Sequence, residues 1–585
     1  MKKNKKIALL ILLAATFRLP FFILRTGPHG DELRYYAESL TLFNIEGYRS
    51  YLNLADFDKV FFIMVNAPFT ALIHLLGGSQ ALAMGFFPFI ASLVFVFLMY
   101  RFIEKISSVR TAFWAGLICA GLPSAVYYSA YAVLHTFFVY FFMLGCLLFY
   151  QYIKTRKRIY LVIAASILFS LSKIRMEGLV VFAIFLALLV YAERRAGLKN
   201  REIAGSAMLA GAVAVVLWLV YRGISTQIFE SGRGADYGQL VRLSLGYLTS
   251  KIEALFGAGT PGGFLEGGKL DYVLENPGLV FLVLLSATYD VLKTLFIVPF
   301  RLFPPLLLPF FGLAFSGLGL RDEKARIMFI FMMLSLLSIF IYPLLWFSAS
   351  RFAYLFVPVA VILIAVGFSR AEELIDNTHR KVGSFLSGRR ILTLSTIVYF
   401  AFLNLQLVAA SKKSEMDSAV SYEPVREWLQ KNFGDRQITI MCWSDMALAI
   451  GRDFVQFPFR VERIDGKWRS LPISINEVAS IMREKGNVLV IVSENELYGR
   501  TNAETNYDYF SRSLAFNFPF LMDEGLENMD LRNRLGSRFY LQEFRNIIEK
   551  QISISGVYYY GLINSTDGHA EYCVFALDKF AGYLK

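Results

Sequence analysis

A run of ionisable residues, 29–38, follows the first apolar segment and is His-Gly-Asp-Glu-Leu-Arg-Tyr-Tyr-Ala-Glu. Glycine and proline at its start predict a chain break, and a helical pattern begins at Asp31. On that helix Asp31, Arg34 and Tyr35 share one face, because residues three and four apart are neighbours. A carboxylate beside a guanidinium at the edge of apolar sequence suits proton transfer. We therefore predict that Asp31 is a catalytic base, supported by Glu32.

Two other roles are open for the same residues. Acids in a first helical turn are stabilised by exposed backbone N–H groups, so Asp31 and Glu32 can simply cap the helix. His29 beside these acids can instead form a metal site, although three ligands without a wider cluster are weak support for one. We predict no cofactor, and a divalent metal is the less favoured alternative.

Two further groups have side chains that can bind phosphate. Segment 172–178, Ser-Lys-Ile-Arg-Met-Glu-Gly, places charges between two apolar runs, where they are costly unless paired or functional. Lys173 and Arg175 would hold phosphate oxygens beside Glu177, and the alternative is a cluster that satisfies itself and turns the chain. Arg351 starts a later apolar run, where its planar fork suits bidentate phosphate binding and snorkelling is the alternative.

The composition indicates a membrane protein. Of 585 residues, 56% are apolar and 18% charged, and the mean hydropathy is +0.50. These values exclude a disordered chain, a coiled coil and an ordinary cytosolic enzyme. The net charge of +13 is uneven: residues 1–411 have a balance of +16 and residues 412–585 one of −3. The basic residues lie in the short connections between apolar runs, as expected for cytoplasmic loops of a membrane protein. We therefore attribute the positive charge to membrane topology and predict no nucleic-acid partner.

A spanning helix needs about 20 mostly apolar residues, and the sequence holds about eleven such runs. The first, preceded by lysines, is predicted to be a retained helix, with a cleaved signal peptide as the alternative. Segment 279–300 is apolar but contains Asp290 and Lys293, and we predict that it is interfacial or re-entrant. Segment 61–76 is interrupted by Asn66 and Pro68, and we predict a short helix at the outer surface. The predicted spans are 7–24, 84–103, 109–131, 134–152, 159–172, 178–192, 203–221, 301–319, 326–346, 352–369 and 391–410.

Basic clusters fall on alternate connections between these spans, as the positive-inside rule expects. We therefore predict a multi-pass protein of the plasma (inner) membrane with a cytoplasmic N-terminus. The long loops 25–60 and 222–278 and the C-terminal stretch then lie outside the cytoplasm.

The C-terminal stretch, 412–585, has the pattern of a soluble α/β domain. Helix patterns cover 423–432 and 475–485, and strand patterns cover 437–441, 488–492, 557–562 and 572–577. Cys442 and Cys573 lie here and can pair if the compartment is oxidising. The predicted fold is thus a polytopic helical membrane domain, 1–411, followed by an α/β domain, 412–585.

Four short motifs resemble those of the integral-membrane GT-C glycosyltransferases, and of glycosyltransferase family 39 in particular. That branch includes the protein O-mannosyltransferases and the lipid A aminoarabinose transferase. The motifs are Gly30-Asp31-Glu32-x-x-Tyr35, Pro123-x-x-x-Tyr127-Tyr128-Ser129, Lys173-x-Arg175-x-Glu177-Gly178 and Arg351-Phe352-x-Tyr354-Leu-x-x-Pro358.

The resemblance implies a GT-C-like bundle, a polyprenyl-phosphate-linked sugar donor and an inverting transfer at the outer face of the membrane. It implies that Asp31 is the base or orients the acceptor, and that Arg351 lies near the donor phosphate. His29, Arg34, Tyr35, Lys173, Arg175 and Glu177 complete the predicted substrate-binding set.

The sequence therefore predicts a glycosyltransferase whose partners are the polyprenyl-phosphate sugar, membrane lipid and a glycan, lipid or protein acceptor. Two alternatives remain. A flippase or transporter of lipid-linked glycans would need polar residues along several spans, whereas the charges here gather at span ends. A non-catalytic assembly protein would act through its C-terminal domain.

Overall fold

A computed structural model describes most of the helical part of the chain and the core of its C-terminal part. The described residues are 3–24, 31–43, 59–175, 177–228, 302–316, 320, 322–337, 354–382, 388–418, 423–434, 436, 438–442, 446, 450, 454–456, 459–464, 467–472, 474–493, 542–564 and 571–577.

The chain divides into two compact units. The first covers Met1–Arg25, Asp56–Ala409 and Ala515–Phe520, and the second covers Thr26–Ala55, Ala410–Leu514 and Leu521–Lys585. A helix of the second unit, α2 (Asp31–Leu42), begins where the sequence pattern predicts a helix start. The boundary between 411 and 412 stays a prediction.

The first unit is a bundle of apolar helices, which makes the chain a multi-pass membrane protein. Within the described ranges, six helices are long and apolar enough to cross a membrane: α1, α4, α7, α10, α13 and α14. The helices are α1 (Lys3–Leu24), α2 (Asp31–Leu42), α3 (Val60–Leu75), α4 (Gln80–Ile106), α5 (Val109–Gly121), α6 (Pro123–Tyr128), α7 (Leu134–Thr155), α8 (Arg158–Ser170), α9 (Glu177–Arg195), α10 (Asn200–Ile228), α11 (Leu308–Leu313), α12 (Glu323–Leu337), α13 (Val357–Val382) and α14 (Gly388–Ser418).

Two predicted spans are interrupted in the structure. The run 109–131 divides into α5 and α6, because Leu122 precedes a proline and leaves the helical conformation. The run 301–319 contains a 3₁₀ turn, the six-residue helix α11 and a second 3₁₀ turn, Ala314–Ser316. Prolines 304, 305 and 309 remove backbone donors there and limit helix length. Segment 279–300 lies outside the described residues, and the total of eleven spans stays a prediction.

The second unit contains a five-stranded sheet with the order β2-β1-β5-β7-β6. Strand β1 is parallel to β2 and β5, whereas β7 is antiparallel to β5 and β6. A separate antiparallel hairpin joins β3 to β4. The elements are α15 (Glu423–Phe433), β1 (Thr439–Cys442), β2 (Phe454–Gln456), β3 (Phe459–Ile464), β4 (Lys467–Pro472), α16 (Ile475–Lys485), β5 (Val488–Ser493), α17 (Gln542–Lys550), β6 (Val557–Asn564) and β7 (Glu571–Leu577).

Apolar residues on both faces of the sheet are covered by helices. Ile440 and Leu489 pack in one core with α15, while Met441 and Val490 pack in a second core with α16 and α17. This alternation follows from the two-residue period of a strand. It gives an α/β unit with a helix layer on each face of the sheet.

All four cysteines are among the described residues. They are Cys119, Cys146, Cys442 and Cys573, each is buried, and no disulfide joins them. Cys442 lies on β1 and Cys573 on β7, and β5 separates these strands in the sheet.

Candidate functional site

A turn between α8 and α9 brings a charged cluster to one end of the first unit. Helix α8 ends at Ser170, a 3₁₀ turn covers Leu171–Lys173, and α9 begins at Glu177. Gly178 makes this tight return possible, since a Cβ there would lie 2.2 Å from the carbonyl carbon of Leu171. The turn therefore depends on the glycine that follows Glu177.

Arg175 is held between two side chains. Its Nε donates to Oε1 of Glu177 at 3.0 Å, and its Nη2 lies 2.9 Å from the same oxygen. Its Nη1 donates to Nε2 of His135, near the start of α7. Because an arginine nitrogen can only donate, Nε2 of His135 is the acceptor in this contact. These contacts fix the plane and direction of the guanidinium.

The ion pair is buried. The side chains of Arg175 and Glu177 are 8% and 4% exposed. Glu177 is the first residue of α9, where the positive end of the helix dipole favours a negative charge. Among the described residues, Oε2 of Glu177 has no hydrogen-bond partner. The hydrogen bonds of this carboxylate in the described part of the chain therefore all go through its Oε1 to Arg175.

The ends of three other helices surround this cluster. The hydroxyl of Ser170 lies 2.6 Å from that of Tyr221 on α10, whose ring contacts Phe61 of α3. Phe62 packs edge-on against Phe137 of α7 with ring centroids 4.6 Å apart. Helices α3 and α7 contact the 3₁₀ turn, and α10 reaches the end of α8 through Tyr221.

The structure brings together part of the predicted site. Lys173 is partly exposed on the 3₁₀ turn next to Arg175. In the second unit, Glu32 and Tyr35 are buried side chains of α2. Asp31 and Arg34 lie on α2 without a described side chain, and Arg351 lies outside the described residues.

His29 also lies outside the described residues, so the alternative of a metal site there stays open. Elsewhere, no group of three His, Cys, Asp or Glu side chains able to hold a metal occurs among the residues that the structure describes. The predicted roles of all these residues, and the predicted meeting of Asp31 with Arg351, stay predictions.

Sequence reasoning missed His135. It is one of five histidines, at the start of an apolar run, where local pattern favours a helix packed in the bundle. Its partner lies 40 residues further along the chain. The predicted topology did place His135 and Arg175 on the same side of the membrane, and this was the one indication that they could meet.

Residues 64–221 match the family described as dolichyl-phosphate-mannose-protein mannosyltransferase. This segment begins within α3, ends within α10 and contains the whole Arg175 cluster. No curated protein matches the chain in sequence.

A solved structure of similar fold is the oligosaccharyltransferase of Archaeoglobus fulgidus, tethered with an acceptor peptide. It is 15% identical, and the match covers 89% of this chain and 71% of that chain with a TM-score of 0.51. The chain has the GT-C fold. The GT-C-like helical bundle and the C-terminal sheet region predicted from the sequence are therefore confirmed.

Two further GT-C structures have lower scores. One is AglB from Archaeoglobus fulgidus in complex with an inhibitory peptide and a dolichol-phosphate, at 14% identity, 86% and 70% coverage and a TM-score of 0.48. The other is ArnT from Cupriavidus metallidurans bound to undecaprenyl phosphate, at 13% identity, 87% and 95% coverage and a TM-score of 0.46.

Proposed function

We propose that this protein transfers a sugar from a polyprenyl-phosphate carrier to an acceptor at the outer face of the membrane. The observation that supports it most is the buried group of Arg175, Glu177 and His135. It presents a fixed cation at the ends of apolar helices, within the segment that matches a family named for a dolichyl-phosphate sugar. Such a cation can stabilise a lipid phosphate at the membrane surface.

In the proposed reaction an acceptor hydroxyl attacks the anomeric carbon of the sugar. The new bond joins the acceptor oxygen to that carbon, the bond from the carbon to the phosphate oxygen breaks, and its electron pair leaves with the polyprenyl phosphate. The reaction inverts the anomeric centre. Asp31 takes the proton of the hydroxyl, supported by Glu32, and His29 belongs to the proposed substrate-binding set. The acceptor is a glycan, a lipid or a protein.

Charge builds up on the leaving phosphate, and basic side chains offset it. Arg175, Lys173 and Arg351 are the proposed phosphate ligands, and Arg34 and Tyr35 contribute from the helix that begins at Asp31. Glu177 has a different role, because it neutralises and orients Arg175. A fixed donor group costs little reorganisation when the charge appears. The proposed step uses no metal.

The test is transfer of labelled sugar by full-length protein in liposomes that contain polyprenyl-phosphate hexoses or pentoses labelled in the sugar. We expect Asp31→Asn to lower turnover at least 100-fold, since the amide cannot accept the proton. Asp322→Asn is a matched control, because Asp322 caps α12 through its Oδ1 and an asparagine can keep that bond. Wild-type turnover by folded Asp31→Asn protein would remove Asp31 from the mechanism. Flipping of the lipid without transfer would favour a transporter.

A further inference from the structure

Helix α5 ends inside the bundle. Its 13 residues rise about 20 Å, less than the roughly 30 Å of a bilayer core. Eleven of those residues are buried. A helix end away from water leaves carbonyl groups that need donors, and each one left without a donor is costly.

Two side chains from distant helices supply these donors. Arg18 of α1 donates from Nη2 to the carbonyl of Cys119 and from Nη1 to that of Ala120, both at 2.7 Å. Asn404 of α14 donates to the carbonyl of Gly121 at 2.8 Å. The last three carbonyls of α5 are thus capped by side chains rather than by its own backbone.

Capping a helix with Arg18 has a high cost in desolvation free energy, because a charged group is buried. The Arg18 guanidinium is 1% exposed and makes no ion pair with a carboxylate among the described residues. The negative end of the α5 dipole offsets the charge only in part. Charges kept inside a membrane bundle at such a cost are by default associated with function.

The capped end sets the course of the chain toward the charged turn. Pro123 starts α6 directly after the break, and the hydroxyl of Ser124 donates to the carbonyl of Leu302. Tyr128, the last residue of α6, packs edge-on against Tyr354 with ring centroids 5.3 Å apart. Seven residues later the chain reaches His135, the partner of Arg175.

We propose that Arg18 and Asn404 are positioning residues for sugar transfer. By capping α5 they fix the direction of α6, and so hold Tyr128 against Tyr354 and hold His135 against Arg175. This inference rests on the proposed function for its effect on turnover. Its effect on α6 is independent of that function.

The experiment uses the full-length protein in detergent and in donor-containing liposomes. Arg18→Gln and Asn404→Leu remove the caps, and Arg18→Lys and Asn404→Gln keep donors. Hydrogen exchange of segment 122–133 reports the position of α6, and turnover is measured per folded protein. We expect Arg18→Gln and Asn404→Leu to speed exchange there at least tenfold and to lower turnover at least tenfold. The conservative variants should recover much of both.

Thr111→Val is the matched control at the opposite end of α5. Its hydroxyl lies 3.2 Å from that of Ser369 on α13, so the variant loses a buried interhelical hydrogen bond without touching the break. It should lower Tm and leave both exchange of 122–133 and turnover unchanged.

Unchanged exchange in the uncapped variants would overturn the proposal, as would faster exchange with wild-type turnover. If Arg18→Gln does not fold, Asn404→Leu decides between these results by the same measurements. If wild-type protein transfers no sugar, the proposed function fails. In that case faster exchange in the uncapped variants alone would still establish that the caps fix α6.

Discussion

Helix α9 has a buried glutamate near each end, and the two are held in different ways. Glu177, at its start, pairs with Arg175 at 2.9 Å, and both side chains are buried. Glu193, near its end, is 0% exposed but accepts a hydrogen bond from the neutral phenol of Tyr152. Its cationic neighbour, Arg156, is 3.9 Å away and 30% exposed. Only the first site buries both charges.

The two sites also differ in what they connect. The Tyr152 hydroxyl that binds Glu193 lies 3.1 Å from the hydroxyl of Ser206, so this network links α7, α9 and α10. Arg175 and Glu177 are two residues apart, and their ion pair by itself joins no helices. The link from this pair to α7 is the single hydrogen bond from Arg175 to His135. A buried ion pair is weak evidence for stability, because desolvation can exceed the Coulombic gain. The burial of a glutamate therefore does not show whether it positions a functional cation or links helices. The residue that it binds distinguishes the two roles.

The largest expected effect comes from Glu177→Gln. Removing the negative charge leaves the Arg175 guanidinium buried beside a neutral amide, which costs about 3–5 kcal/mol when a buried pair is broken. It also releases the guanidinium from its fixed direction. We expect turnover per folded protein to fall at least 100-fold in the labelled-sugar assay.

A double variant separates the stability effect from the chemical one. Arg175→Met with Glu177→Leu removes both charges and can restore packing. It should recover much of the Tm that Glu177→Gln loses and none of the turnover. Near wild-type turnover in either variant would break the comparison, because the pair would then be structural like Glu193.

His135 offers a smaller effect on the same cluster. His135→Leu removes the acceptor of the Arg175 Nη1 hydrogen bond and should lower turnover about tenfold, the loss expected for one hydrogen bond to a charged group at about 1.5 kcal/mol. His135→Gln places an amide oxygen at similar reach and should recover most of the turnover. Equal turnover in the two variants would remove His135 from the positioning of Arg175.

Elements built from local pattern could be predicted from the sequence. The helix start at Asp31 follows a Gly-Pro break, and the core strands β1 and β5 are short apolar runs between turn signals. Their positions differ from the predicted ones by at most two residues at either end. In these elements the spacing of apolar residues predicts helix or strand, and the flanking glycine, proline and turn residues predict where it begins and ends.

Features that depend on distant partners could not be predicted in this way. The end of α5 is capped by side chains about 100 and 280 residues away in sequence. Pro123 was a local signal for that break, yet the apolar run around it is long enough to suggest one span. The charged turn shows the same limit, since Arg175 and Glu177 were found from their charge in an apolar context and His135 was not.

The smallest expected effect on turnover comes from Glu193→Gln, which tests the other end of α9. The phenol of Tyr152 can still donate to an amide oxygen, but the charge-assisted bond is lost in a buried site. We expect a loss of about 1–3 kcal/mol in stability, measured as a lower Tm, with turnover per folded protein within twofold of wild type. Arg195→Ala is the matched control on the same turn, because its pair with Glu323 is exposed at both side chains and should leave Tm unchanged. A large loss of turnover in Glu193→Gln would mean that the two ends of α9 are coupled, and the contrast between a positioning glutamate, Glu177, and a structural one, Glu193, would fail.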